Sequence, residues 1–465
     1  MLDQSATGMA KSIRNREISS LELITAHLDH IERLNPKLNA VVELLADAAT
    51  KDAYAADAKV ASGEPLGPLH GVPFSIKDSI DVRGTKTTAG TLGRKDAPPA
   101  ERDATVVERL RSAGAIPIAK TNLPDLLFAY ESDNLIYGRT NNPYDLARTP
   151  GGSSGGESAL IAACGSPLGL GSDAAGSVRL PAAFCGIASI KPTSGRLPRT
   201  GHVPPPGGWI EALWQIGHMA RYTEDLALAM HILAGEDNAD FTSPPVPLLE
   251  VLPSHNNDLR KLRLAFFTYN GFSRCAPEVV HAVEKCVEFL ARCGIEVDEQ
   301  RPPGIEQAYE LEMALLGADG GEAIDQYLRD IGSTEVHPIL VNGFLNRMRP
   351  FRATVSEFAA RWAQWDTYRA GMRHFFDQYD AVLCPVYPHP ALAHGESVLS
   401  GNFEGFSYTM AWNVAGLPAA TVRCSEARGL PINVQVVTGA WRDLLAIEIC
   451  RVIESEFGGW KPPLP

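Results

Sequence analysis

Residues 149–164 read TPGGSSGGESALIAAC, and the reading of Gly151–Gly156 decides the fold. Six consecutive Gly and Ser residues have the composition of a flexible tether, which would divide the chain in two. The apolar run directly after them, from Ala159 to Ala163, reads instead as a helix with a buried face. Glycine permits tight turns and close backbone approach ahead of such a helix. No shift in composition flanks the run, so it is read as an interior turn of one large domain.

Outward from this turn the chain alternates strands with helices. In GVPFSIKD (71–78), Val72, Phe74 and Ile76 face one way and Ser75 and Lys77 the other, which predicts a strand ending at Lys77. SSLELITAHLDHIERL (19–34) puts Leu21, Ile24, Leu28, Ile31 and Leu34 at helical spacing behind a Ser19/Glu22 capping box. DATVVERLRSAGAIPIAKTN (103–122) predicts a helix, a stop at Gly114 and a short buried strand. Leu264–Phe267, the stripe Val280, Val283, Val287 and Leu290, and Ile295–Val297 form a β-α-β pattern. LPINVQVVTG (430–439) is strand-like, and WRDLLAIEICRVIESEF (441–457) is a helix with Leu445, Ile449 and Val452 on one face. This order predicts the α/β class: a single α/β/α sandwich whose mixed, twisted central sheet is covered by helices on both faces. Two proline-rich loops, HVPPPGGW (202–209) and CPVYPHPALAHG (384–395), suit the rim of a cleft. Phe358, Trp362, Trp365 and Tyr368 form an aromatic stripe that reads as core rather than as a cover over that cleft.

Composition narrows the function classes. With 45% hydrophobic and 21% charged residues, the 465-residue chain can bury a large core. A net charge of −13, from 42 basic and 55 acidic residues, disfavours nucleic acid or an anionic membrane surface as partner. The eight cysteines show no CxxC pair and read as reduced, buried thiols. The N-terminus lacks a signal-like apolar stretch, and no run approaches the roughly 18 apolar residues of a membrane span. The expectation is no membrane span and a cytoplasmic location.

Three chemistries compete for the Gly/Ser run. A phosphate cradle would need GKS or GKT, which is missing, and GLGSDAAG (169–176) misses the GxGxxG spacing. A nucleophile elbow fits the pattern G-x-S-x-G at Ser153 and at Ser154, but it needs a strand just before it. NNPYDLARTP (141–150) is turn-like instead. The third pairs serines with a lysine. Asp173-Ala174-Ala175-Gly176 are small enough for several backbone N–H groups to converge beside the Ser177 hydroxyl, as an oxyanion hole requires. Lys77, at the end of its predicted strand, becomes a base if the strand joins the same sheet and burial strips its proton.

The chain resembles the amidase signature family over nearly its whole length. The likeness is carried by PLHGVPFSIKDSIDVRGTKTTAGT, AIPIAKTNLPD, NNPYDLARTPGGSSGGESALIAACGSPLGLGSDAAGSVRLPAAFCGIASIKPTSGR, YDAVLCPVYP and NVAGLPAATV with GLPINVQVV. Within the family it is most similar to the branch of fatty acid amide hydrolases and bacterial aryl- or acyl-amidases. The resemblance implies a Ser–cis-Ser–Lys triad: nucleophile Ser177, bridging Ser153 after a cis peptide bond, and Lys77. It implies backbone N–H groups of Ala174, Ala175, Gly176 and Ser177 as the oxyanion hole, with Ser154, Asp173 and Arg179 bracing the site. For Arg179 a surface salt bridge is the competing reading. The family commonly has Gly-Gly before the nucleophile, where this chain has Ala175-Gly176, so a positive φ at 175 would strain the alanine.

The resemblance further implies one domain over 1–465: an N-terminal helical region (1–70), a catalytic core (71–240), a substrate-side region (241–380), and C-terminal strands and helix (381–465). Phe128, Tyr130, Trp209 and Trp214 are expected on the acyl side of the cleft. The implied activity is hydrolysis of a small-molecule amide, or an ester, anilide or carbamate, with an apolar or aromatic acyl group and no metal or organic cofactor. A monomer or homodimer is expected. The competing readings are a glutaminase-type subunit of a tRNA-dependent amidotransferase, a serine esterase centred on Ser154, and a catalytically silent binding module. Against the glutaminase reading, the chain lacks a Tyr-Asp-Gly-rich C-terminal motif and a basic tail.

Overall fold

Alternation at 72–77 is realised as a strand whose two faces enter different environments. In the computed structural model, which describes residues 1–205, 212–248 and 259–463, this strand is β2 (Pro73–Lys77). It follows β1 (Val41–Leu44) in the chain. Phe74 and Ile76 join an apolar core on one side of the sheet, while Ser75 donates to Glu157 and Lys77 reaches Ser153 on the other.

The remaining strands are β3 (Ile116–Thr121), β4 (Leu168–Asp173), β5 (Ala188–Lys191), β6 (Gln215–Ala220) and β7 (Arg263–Phe266). They continue as β8 (Glu296–Glu299), β9 (Ala381–Pro385), β10 (Ala419–Ala427) and β11 (Leu430–Thr438). Among the described residues these eleven strands make one mixed sheet, in the order β1-β3-β2-β4-β6-β5-β10-β11-β9-β7-β8. β2 runs parallel to both β3 and β4, with Ile76 opposite Leu170. β10 and β11 pair antiparallel, and every residue of β11 is buried, as expected of an apolar run covered on both faces. The β-α-β pattern is β7, the helix Pro277–Arg292 and a parallel β8. That helix buries Val279, Ala282, Val283, Cys286 and Leu290, so its stripe is rotated slightly from the expected one and Val280 and Val287 sit at its half-buried edge.

Helices cover both faces of the sheet. Thr105–Ser112, Thr223–Leu233, Pro277–Arg292 and Asp443–Phe457 pack on the side of Phe74 and Ile76. Gly155–Ala162, Arg179–Phe184, Ala308–Leu316 and Ser407–Ala415 pack on the side of Lys77. The capping box of Ser19 and Glu22 starts the helix Ser20–Leu38. The Gly/Ser run is an interior turn: the helix Gly155–Ala162 is buried on all sides, and a Cβ on Gly156 would lie 2.5 Å from the backbone of Asn122. The aromatic stripe belongs to the helix Val355–Phe375, and only half of it is core: Trp365 and Tyr368 are buried, whereas Phe358 is half-buried and Trp362 is exposed, because the helix turns that edge to solvent. Trp365 Nε1 donates to Val414 O at 2.7 Å and the Tyr368 hydroxyl to Ala411 O at 3.3 Å. All eight cysteines are unpaired, but Cys293 is exposed rather than buried. Among the described residues no helix is long and apolar enough to cross a membrane.

One buried arginine ties distant parts of the chain together. Arg221, just after β6, donates to Leu2 O and Gln4 O at 2.8 Å each, Ser166 O at 2.6 Å and Ile161 O at 3.2 Å. Its guanidinium also lies 5.4 Å from the centre of the Trp460 ring.

Candidate active site

Lys77 ends β2 and Asp173 ends β4, its parallel neighbour, and the Gly/Ser turn lies beside both. In sheets of this kind the crevice beyond the carboxyl ends of strands is where ligands bind. Lys77 Nζ lies 2.6 Å from Ser153 Oγ, 3.2 Å from Ser172 Oγ and 3.4 Å from Ser172 O. The lysine is fully buried. Burial pushes its pKa down to about 7, against the opposing charges of Asp173 and Glu157. Glu157 sits on the same face, accepting from Ser75 and from Thr121 Oγ1, and burial pushes its carboxyl up to about 7. The Gly152–Ser153 peptide is cis.

The loop after β4 carries Ser177. Its turn is made at Gly176, whose φ is 118°, and a Cβ there would collide with the Thr409 side chain. Ala175 is not in the left-handed region, so the alanine in place of glycine is unstrained. The N–H groups of Ala174, Ala175 and Ser177 have no hydrogen-bond partner among the described residues. Gly176 differs from expectation: its N–H is donated to Asp173 Oδ1 at 2.8 Å, which leaves three free donors rather than four. The Ala175 carbonyl is held by Thr409 Oγ1 at 2.7 Å and by the Tyr130 hydroxyl at 3.1 Å.

Asp173 and Arg179 form a fully buried ion pair, which removes the surface-bridge reading of Arg179. Burial would raise the Asp173 carboxyl, but Arg179, through charge and hydrogen bonds, holds it below the usual carboxylate range. The carboxylate also accepts from Val178 N–H at 3.1 Å and from Asn413 Nδ2 at 3.0 Å. Arg179 Nη1 donates to Gln435 Oε1 at 2.7 Å and Nη2 to Asn413 Oδ1 at 2.5 Å. Ser154 is buried, its N–H donating to Ser177 O at 3.1 Å and its hydroxyl to Ser172 O at 3.4 Å. No strand precedes Ser154 and it does not line the cavity, which is the reverse of an elbow nucleophile.

Ser153 and Ser177 both open onto a cavity of about 120 Å³. Its wall is apolar: Leu126, Leu127, Phe128, Leu213, Leu316 and Phe344, with Trp214 and the prolines 204 and 205. Its polar lining comes from Ser153, Ser172, Asp173, Ser177 and His202. Phe128 and Trp214 line this cavity. Tyr130 does not: it is buried behind the loop, stacked at 3.5 Å on Phe406, and serves the Ala175 carbonyl. Trp209 lies outside the described residues. The 202–209 loop reaches the cavity through His202, Pro204 and Pro205, whereas the 384–395 loop contributes nothing to its wall. Among the described residues no group of three or more His, Cys, Asp or Glu side chains is placed to hold a metal ion.

Several site residues escaped the sequence reading. Ser172 and His202 flank the lysine, and Thr409 and Asn413 brace the loop from the helix Ser407–Ala415. The proline-rich string around His202 was the available signal for that residue.

The Amidase family model matches residues 22–446. The chain is 34% identical over 466 residues to an indoleacetamide hydrolase of Bradyrhizobium diazoefficiens, covering 98% of this chain and 86% of that protein. It is 32% identical over 486 residues to a glutamyl-tRNA(Gln) amidotransferase subunit of Carboxydothermus hydrogenoformans, covering 99% of each. Among solved structures it superposes on a fatty acid amide hydrolase with a TM-score of 0.89 at 26% identity, covering 98% of this chain and 85% of that one.

Proposed function

The chain belongs to the amidase signature family, and from that premise we propose that it hydrolyses small amides through an acyl-enzyme on Ser177, preferring compact apolar or aromatic acyl groups. The observation that carries this reading is a buried amine, with its pKa near 7, lying 2.6 Å from a serine that shares an apolar cavity with Ser177. In its neutral form Lys77 takes the Ser153 proton as Ser153 takes that of Ser177, and the Ser177 oxygen bonds to the amide carbon. The N–H groups of Ala174, Ala175 and Ser177 receive the oxyanion, where losing one donor typically costs about 2.7–4 kcal/mol of transition-state stabilisation. The C–N bond then breaks as the leaving nitrogen takes the proton back through Ser153. Water attacks the ester by the same relay in reverse. Esters, anilides and carbamates of the same acyl groups fit this sequence of steps.

The similarity to a tRNA-dependent amidotransferase component favours a second reading, a glutaminase. What supports the stand-alone hydrolase is the cavity wall, whose described residues include no Lys or Arg to pair with the α-carboxylate of glutamine.

A fluorophosphonate probe tests the acyl-enzyme reading directly. Ser177 is expected to be labelled in the native protein, and Ser177→Ala to lose both labelling and hydrolysis of p-nitroanilides with graded acyl groups. Labelling that persists in Ser177→Ala overturns the acyl-enzyme, and release of ammonia from glutamine in preference to the anilides overturns the preference for apolar acyl groups.

A further inference from the structure

His202 is buried in the cavity wall, its ring 4.4 Å from that of Trp214, and its two nitrogens have different partners. Nδ1 lies 3.1 Å from Pro204 O, and a carbonyl oxygen only accepts, so Nδ1 carries the hydrogen. Burial holds the ring neutral, pushing its pKa down to about 3. Nε2 is therefore bare, and it lies 3.1 Å from Ser172 Oγ. The Ser172 hydroxyl must then donate to Nε2, which leaves its oxygen lone pairs turned to Lys77 Nζ at 3.2 Å.

This order has a consequence at the lysine. A neutral amine has two N–H bonds and one lone pair. Ser172 Oγ, its own hydrogen committed to His202, accepts one N–H, and Ser172 O at 3.4 Å accepts the other. The lone pair is left for Ser153, 2.6 Å away, where a proton must be received. Without the imidazole, the Ser172 hydroxyl is free to rotate and donate to the lysine lone pair, competing with Ser153.

We infer that His202 is a positioning residue that, through Ser172, fixes the direction of hydrogen bonding at Lys77 so that the amine presents its lone pair to Ser153. The inference rests on the acyl-enzyme reading above and adds to it a residue that touches none of the reacting atoms.

The test is the rate constant for fluorophosphonate labelling of Ser177, which is independent of the substrate, measured beside the melting temperature. His202→Phe keeps a ring against Trp214 but removes both nitrogens, and His202→Gln restores an acceptor for Ser172. Labelling is expected to slow about tenfold in His202→Phe and to return to within about twofold of native in His202→Gln. Ser172→Ala is expected to slow labelling, and the double variant Ser172→Ala/His202→Phe to be no slower than Ser172→Ala alone, because both act through one hydroxyl. Native-rate labelling of His202→Phe, multiplying effects in the double variant, or failure of His202→Gln to restore the rate overturns the inference while leaving the acyl-enzyme standing. If His202→Phe does not fold, native-rate labelling of Ser172→Ala overturns it. An unlabelled native protein removes the acyl-enzyme itself, and this inference with it.

Discussion

Lys77 shows what burial does to one side chain. An ammonium cannot accept a proton, so only the neutral fraction works as a base, and with its pKa near 7 that fraction falls as the pH drops. The expected kcat/KM is level above pH 7 and declines about tenfold per unit below it, which a pH–rate profile on a p-nitroanilide measures. A profile that stays level well below neutrality would mean that the amine is not the base. Local pattern singled out Lys77 at the end of an alternating strand and Ser177 in a string of small residues, but it left the role of Ser153 open, and only the family resemblance joined the three. Ser172 and His202 were singled out by neither. A lone histidine among prolines has no periodicity, and its partner lies thirty residues earlier, brought beside it only when the chain returns through the sheet.

Among the elements, the helix Ser407–Ala415 acts as a rack for the loop that carries Ser177, the proposed nucleophile. Thr409 and Asn413 lie one turn apart on one face and reach the Ala175 carbonyl and the Asp173–Arg179 pair. Asn413 Nδ2 also donates to Leu213 O at 2.9 Å, so one amide joins the loop of Ser177 to the cavity wall. Asn413→Ala leaves buried polar groups without partners and is expected to cost about 1–3 kcal/mol of stability. It should lower kcat more than it raises KM, since the donors for the oxyanion lose their bracing. Denaturant midpoints and steady-state kinetics on the same preparation check both parts. The sequence hid this helix because every one of its residues is buried, which leaves no polar face to reveal a period. Amphipathic or alternating elements, such as Ser20–Leu38 and β2, were legible for the opposite reason.

Across the whole molecule, the α/β class and the two-sided cover of helices could be read from alternation, but the strand order could not. β5 pairs with β10, more than two hundred residues later, and nothing local to either strand records it. The same distance separates the ends that Arg221 gathers. Arg221→Met strands the carbonyls of Leu2, Gln4 and Ser166, while Ile161 O keeps the Cys164 N–H, and is expected to cost about 3 kcal/mol. Hydrogen exchange in the helix Ala6–Arg14 should rise, while kcat/KM stays within about twofold of native because no active-site group is touched. Unchanged exchange there would show that the N-terminal segment is held by other contacts. The proposed relay and N–H donors hang from the ends of β2 and β4 and from the Gly/Ser turn between them, whereas the apolar cavity wall comes from connecting segments and a few helical residues. Chamber size and proton transfer are therefore built on separate scaffolds, and selection, natural or in the laboratory, can recut the first without detuning the second. Position 202 answers to both in the proposed mechanism, so a swap made there to widen the chamber is also expected to disturb Lys77.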